Sequence, residues 1–390
     1  ALYEKAERWD ELAETLEADL AIAEVPVDKM ELLARLGRVR RDKQDDAPGA
    51  LEAFRQALTF DPSHAASRAA LEAMLDVESV RRDAAAVLHP LYEADGEQKK
   101  LLRVLDIETE LADGPSERLA ILQQAMVVAE QSLGDLETAF GYASRGLREA
   151  AGEAELPAWI ERAERLGAAA GNTAAFVAIL REVAPNILDE QQQLDTLVKI
   201  AELSRDKLDD AAAAREHFEK ALQIRADDRR VLEALERLYE AAGEKVQLLD
   251  VIKRRVDVAD SDAERKELLY KQAKLCESSG EAQSAIETYE QILDLSLEKA
   301  AVEALVRLYG AAERWDDLVA LYERQIGAGP SDEEKAGLHH ALGRVASVHL
   351  SDYDRAFGEY EAALKLDPQH PETVASLEAL MQEGHRDPAS

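Results

Sequence analysis

The chain has one cysteine, Cys276, among 390 residues, and aromatic residues make up only 5% of it. A single cysteine excludes an internal disulfide framework and any zinc site built from several thiolates. The longest stretch without a charged residue, 166–180, contains Gly, Asn and Thr. It is shorter than the ~20 apolar residues that a membrane-spanning helix needs, so we expect no membrane span.

Basic residues are also scarce. Lys and Arg total 47, whereas Asp and Glu total 80, and the formal net charge is −33. Such a surface repels a phosphate backbone, so we expect no nucleic-acid binding. The charge is typical of a surface kept soluble by repulsion, with a basic partner surface as the alternative. The first residues lack both a signal-peptide pattern and an initiator Met. We interpret the chain as a fragment of a cytoplasmic protein, with a removed signal sequence as the alternative.

Motifs that carry chemistry are missing as well. The sequence contains no G-x-x-x-x-G-K-[ST], G-x-G-x-x-G, G-x-S-x-G or H-E-x-x-H pattern. His339, His340 and His349 fall on one predicted helix, but none has the i, i+4 spacing of a metal-ligand pair. Cys276 lies on an apolar stripe, where a buried small hydrophobic residue is the simpler interpretation. We therefore expect no catalytic residue, no cofactor and no metal.

Two sequence markers recur five times at a nearly constant offset. The first is a Leu-Tyr or Leu-Gly dipeptide that ends at Tyr3, Tyr92, Gly167, Tyr239 and Tyr309. The second is an i, i+4, i+7 set of mostly small, aromatic and small residues that begins at Ala50, Ala139, Ala214, Ala285 and Ala356. The second marker follows the first by 46 or 47 residues in every copy. This regularity indicates internal repeats rather than unrelated domains.

Each copy reads as four helices, because apolar residues recur at a helical period between turn signals. We predict an all-α fold of about 20 helices in antiparallel pairs, with helix content above about 70%. The predicted modules are 1–75 with an extra junction helix at 64–77, 78–151, 152–226, 227–296, and 297–390, which includes a C-terminal helix.

At this point the residues resemble tetratricopeptide repeats. Leu342-Gly343 with Ala356, Tyr360, Ala363 and Asp367-Pro368 matches the family's order of Leu-Gly, Ala, aromatic, Ala and Pro, and Leu36-Gly37 with Ala50, Phe54, Ala57 and Pro62 matches it again. The other half of each module is degenerate, so the array alternates long and short units. The resemblance implies a right-handed α-α superhelix that binds proteins, although such arrays serve many unrelated partners.

A ladder of cations is the sharpest candidate site. Arg165, Arg237 and Arg307 recur at spacings of 72 and 70 residues, at a helix position that faces the concave groove in the resembled family. Matching positions on the third helices carry Arg38, Lys274 and Arg344. One interpretation is a partner-binding face in an otherwise acidic protein.

The alternative is local ion pairing. A glutamate stands four residues before each of the first three arginines, at Glu161, Glu233 and Glu303, and such pairs stabilise an exposed helix by only ~0.2–0.5 kcal/mol. Both interpretations stay open at this stage. For function, we predict a non-catalytic scaffold or adaptor that binds a protein or peptide partner. A structural spacer or self-associating segment of a larger protein is the alternative.

Overall fold

The computed structural model describes residues 2–329 and 331–382. The structure is 82% helical, and its described residues form 22 α-helices and no strand. Consecutive helices pack as hairpins along the chain. The predicted all-α repeat fold is therefore confirmed.

The helices are short, and turns of a few residues separate most of them. The first twelve are α1 (Leu2–Lys5), α2 (Trp9–Ile22), α3 (Pro26–Lys43), α4 (Ala47–Phe60), α5 (Ala65–Met74), α6 (Arg81–Asp95), α7 (Gln98–Leu111), α8 (Pro115–Val127), α9 (Leu136–Glu149), α10 (Leu156–Ala169), α11 (Thr173–Val183) and α12 (Glu190–Leu208). The others are α13 (Ala211–Ile224), α14 (Arg229–Ala242), α15 (Lys245–Asp257), α16 (Asp262–Ser278), α17 (Ala282–Leu295), α18 (Lys299–Ala311), α19 (Trp315–Gly327), α20 (Asp332–Val348), α21 (Tyr353–Leu366) and α22 (Pro371–Gln382). A π-helical turn, Val128–Ser132, extends α8.

The chain divides into two compact units, Ala1–His217 and Phe218–Ser390, and the division falls inside α13. The junction helix expected at 64–77 is α5, and α6 runs through Pro90 without a break. The five-module division of the sequence stays a prediction.

The first sequence marker ends a helix in a left-handed turn. In three copies the glycine four residues after the marker, Gly96, Gly171 or Gly243, has a φ between 70° and 74°. The next residue's N–H then donates to the carbonyl of the marker residue, as Glu244 does to Tyr239 at 3.0 Å. This hydrogen bond satisfies a carbonyl that would otherwise lack a partner at the helix end.

Marker tyrosines also join neighbouring helices. The hydroxyl of Tyr92 donates to Glu72 at 2.7 Å, and the hydroxyl of Tyr309 donates to Glu290 at 2.6 Å. Burial and the carboxylate raise the pKa of both phenols well above the usual value. Tyr92 and Tyr309 are almost fully buried, so the hydrogen bond gives the hydroxyl of each ring the partner that it needs away from water.

The second marker brings the two helices of a hairpin close together. A Cβ atom built on Gly343 would lie 2.5 Å from the ring of Tyr360, and one built on Gly37 would lie 2.7 Å from the ring of Phe54. Both rings are almost fully buried. The Leu-Gly and aromatic positions of the repeat are therefore complementary surfaces of one contact.

Glu313 offers a test of the helix-end turn, because it occupies the position of the marker glycines with a φ of 55°. A residue with a Cβ atom is disfavoured there, so Glu313→Gly should raise the free energy of unfolding by up to about 1 kcal/mol. The matched change Gly243→Ala should lower it. Urea unfolding of both variants measures the difference, and equal effects would contradict the assignment.

The hairpin contact can be tested with two glycines of the same hairpin. Gly343→Ala forces the Tyr360 ring to move and should cost ~1–3 kcal/mol through overpacking. Gly358 on α21 is exposed and has no neighbour within 4 Å of a built Cβ atom, so Gly358→Ala should be neutral or stabilise by up to about 1 kcal/mol. Thermal unfolding that is the same in both variants would contradict the ring-on-glycine contact.

Candidate functional site

All six predicted cations are exposed on the first helices of hairpins. In the first unit they are Arg38 on α3 and Arg165 on α10, and in the second unit they are Arg237 on α14, Lys274 on α16, Arg307 on α18 and Arg344 on α20. The second unit therefore carries one candidate cation on each of four successive first helices.

These first helices are neighbours in space. Lys271 Nζ on α16 lies 3.1 Å from Glu236 Oε1 on α14, and Arg307 on α18 pairs with Glu277 on α16. Side chains of α18 and α20 belong to one apolar core cluster. The four cations of the second unit consequently lie on adjacent helices of a continuous layer.

Two of the six cations are held by carboxylates of the preceding hairpin. Arg165 Nη2 donates to Glu130 Oε2 at 2.8 Å in a two-bonded contact, and Arg307 pairs with Glu277, which also accepts from Tyr289 at 2.8 Å. Hydrogen bonding from the guanidinium lowers the pKa of Glu130. Neither arginine pairs with the glutamate four residues before it in the described structure. The local ion-pair interpretation is wrong for these two positions.

The pairing follows the spacing between successive first helices. Glu130–Arg165, Glu164–Lys199 at 2.7 Å and Glu236–Lys271 each join residues that are 35 positions apart. A recurring arginine in the sequence can therefore reflect contacts between successive first helices. For Arg165 and Arg307 this structural role accounts for the recurrence.

The remaining candidates have no such partner. Arg38, Arg237, Lys274 and Arg344 form no side-chain ion pair or hydrogen bond with a residue that the structure describes. Glu233, the expected partner of Arg237, lies 3.3 Å from Arg255 instead. Three cations without an ion-pair partner thus remain on the first helices of the second unit.

A buried carboxylate lies beside this layer. Glu236 is 5% exposed and pairs with Arg255 and with Lys271, so it joins α14 to α15 and α16. Removing one partner of a buried ion pair leaves an uncompensated charge and typically costs 3–5 kcal/mol. We interpret Glu236 as structural support for the layer.

The side chains of Cys276, His339 and His349 are buried in the fold or contact its other residues. Cys276 is fully buried, and burial raises the pKa of its thiol, so the interpretation as a small hydrophobic residue is confirmed. His349 stacks on Trp315 with ring centroids 3.7 Å apart, and His339 Nδ1 lies 2.7 Å from Glu359. Within 2–329 and 331–382, no group of three or more His, Cys, Asp or Glu residues could hold a metal ion. None of the helices in these ranges is long and apolar enough to cross a membrane.

His340 belongs to a polar cluster that joins α20 to α22. The hydroxyl of Thr373 lies 3.1 Å from His340 Nδ1 and 2.9 Å from His370 Nδ1. Glu372 lies 3.7 Å from His340 Nε2. Burial and the neighbouring His370 ring lower the pKa of His340, and the nearby Arg344 guanidinium acts in the same direction.

The structure also shows a groove that the sequence markers did not indicate. It has a volume of about 670 Å³ and lies in the second unit, between α18, the end of α19 and the start of α20. Val302, Val306, Tyr322 and Leu338 form its apolar wall, and Gln325 faces it from α19. Ala328, Gly329 and Gly337 also line the groove, but they follow no pattern in the sequence that would indicate it.

Comparison with known proteins supports the repeat assignment. Residues 301–336 match the tetratricopeptide repeat model. A search of curated proteins finds no match. Among solved structures, YrrB, described as a TPR protein with an unusual peptide-binding site, is 11% identical with a TM-score of 0.26, over 47% of this chain and 91% of that one. The structure of Naa15/Naa10 bound to HypK-THB is 14% identical with a TM-score of 0.28. The match covers 95% of this chain and 58% of the matched chain. These TM-scores support no residue-level comparison.

The His340 cluster predicts a pH dependence of stability. The pKa of His340 in the folded state lies below the ordinary value of 6.5, so His340 binds a proton more readily in the unfolded chain. The stability that neutral His340 contributes is present above pH 6.5 and is lost as the pH falls from there toward the lowered pKa. Unfolding followed between pH 7.5 and about pH 5 should show this loss, and it should be smaller in His340→Gln. His349→Gln is the control, and an equal slope in both variants would contradict the prediction.

Proposed function

We propose that this chain, a helical-repeat protein with a tetratricopeptide repeat match at residues 301–336, is a non-catalytic scaffold that binds an acidic segment of a partner protein. The binding face is the layer of first helices in the second unit. One observation carries the proposal: Arg237, Lys274 and Arg344 are exposed there without an ion-pair partner among the described residues, in a chain with 80 acidic residues.

Physical chemistry supports this choice of face. Hydrogen bonds between a cation and a carboxylate are stronger than neutral ones, and they need a positioned donor. The three cations stand on helices that are already packed, so little of the receptor has to become ordered on binding. The net charge of −33 repels acidic partners at long range, so selectivity has to arise from these local contacts.

Arg38, Arg165 and Arg307 have different roles in the proposal. Arg38 presents the same type of free cation in the first unit, as a second contact of the same chemistry. Arg165 and Arg307 are engaged with Glu130 and Glu277, so we assign them to the support of the helix layer rather than to direct partner contact. No nucleic acid, cofactor or metal enters the proposal.

The test starts from an unbiased set of probes. A random twelve-residue peptide library displayed on phage is selected against the full chain, and enriched peptides are synthesised with a fluorescent label. We expect the enriched peptides to be acidic. Replacing Arg237, Lys274 and Arg344 together with Gln should weaken their binding by at least about tenfold, because three charge-assisted contacts are lost. Fluorescence anisotropy measures the dissociation constants.

The control changes the net charge equally on the second helices of the hairpins. Arg254→Gln, Arg324→Gln and Arg355→Gln remove three cations from α15, α19 and α21. This variant should bind the peptides like wild type, and both triple variants should melt near the wild-type temperature because exposed ion pairs contribute little. Neutral or basic enriched peptides, or equal binding by both variants, would contradict the proposed face and favour a structural spacer.

A further inference from the structure

The groove between α18, α19 and α20 is an apolar opening beside the cation layer. Its volume of about 670 Å³ falls within the ~300–1,000 Å³ range of small-molecule sites, so it can hold a large side chain with part of its flanking backbone. Val306 and Leu338 are half-buried, and Leu297 at the mouth is 39% exposed. Contact with an apolar side chain would remove this surface from water.

Gln325 places an unused hydrogen-bond donor at this groove. Its Nε2 atom is buried and has no hydrogen-bond partner among the described residues. A buried polar group without a partner destabilises the folded chain, and an apolar residue would avoid that cost. An amide NH₂ group only donates, so the group that satisfies it must present an acceptor oxygen.

The charged residues of the groove indicate which acceptor fits. Glu303 lies 3.9 Å from Lys299, and Glu334 accepts hydrogen bonds from the backbone and hydroxyl of Ser331, each at 3.0 Å. Both carboxylates are therefore engaged within the chain. Lys274 on α16 and Arg344 on α20 are two cations without partners among the described residues, and their helices flank α18 on either side.

We propose that this groove binds the apolar anchor residue of an acidic peptide segment. A large aliphatic or aromatic side chain lies against Val302, Val306 and Leu338, and a neighbouring peptide carbonyl accepts the hydrogen bond from Gln325 Nε2. Acidic residues next to the anchor contact Lys274 and Arg344. The inference rests on the proposed function and specifies which peptides the scaffold selects.

The first test fills the groove. Gly337 lines it, and a Cβ atom built there meets nothing within 4 Å, so Gly337→Leu places a large side chain in the opening from an unobstructed Cβ atom. Gly358→Leu is the matched control, because Gly358 lies on α21 with equally open space. Gly337→Leu should weaken the selected acidic peptides by at least about tenfold, and Gly358→Leu should leave them unchanged.

The second test removes the unused donor. Gln325→Leu should raise the melting temperature, because it eliminates a buried polar atom without a partner, and it should also weaken peptide binding by about fivefold to tenfold. Opposite changes of stability and affinity are the signature of a donor kept for a ligand. Higher stability with unchanged affinity would overturn the assigned role of Gln325.

The outcomes separate the groove from the cation layer. The selected peptides should carry a large apolar residue beside their acidic ones, and replacing that residue with Ser should abolish the effect of Gly337→Leu. If the triple Gln variant loses binding but Gly337→Leu does not, the proposed function stands and the groove proposal fails. If no peptide is enriched, both fail. A wild-type dimer that becomes monomeric in Gly337→Leu, seen by light scattering, would assign the groove to a second copy and overturn the proposal.

Discussion

The close approach of two helices beneath an aromatic ring is the contact on which the hairpins α3–α4 and α20–α21 depend. Gly343 beneath Tyr360 and Gly37 beneath Phe54 leave no room for a side chain, and the alanines around these rings, such as Ala356, are fully buried. Small residues let the backbones approach, and one ring then fills the space between helices. This explains how a chain with only 5% aromatic residues fills the contact between the two helices of these hairpins.

Because apolar side chains are used inside the hairpins, the outer surface of the first helices is polar, and its order comes from ion pairs. Pairs such as Glu130–Arg165 and Glu164–Lys199 join successive first helices. An exposed pair contributes at most about 1 kcal/mol, so these contacts set the register between neighbours more than they hold the fold. A first-helix cation that no carboxylate meets is then available to a partner.

The sequence predicts the fold better than it predicts the site, for a physical reason. Helical period, the marker glycines and the Leu-Gly and aromatic pattern are local signals, and the helices follow them. The partner of Arg165 is 35 residues away, whereas a glutamate four residues away offers a simpler pairing. The groove depends on three helices and on one amide that lacks an acceptor, and no local pattern encodes that arrangement.

Gly337 and Gln325 both line the groove, and both reduce the stability of the fold there. A glycine inside a helix costs about 1 kcal/mol relative to alanine, and a Cβ atom built at Gly337 meets nothing within 4 Å. Gln325 adds a buried donor without an acceptor. Either destabilising residue alone would be ordinary. Here both border one apolar groove, on helices that neighbour cations without partners. This combination is expected of a surface that serves contact with a partner rather than the stability of the isolated chain.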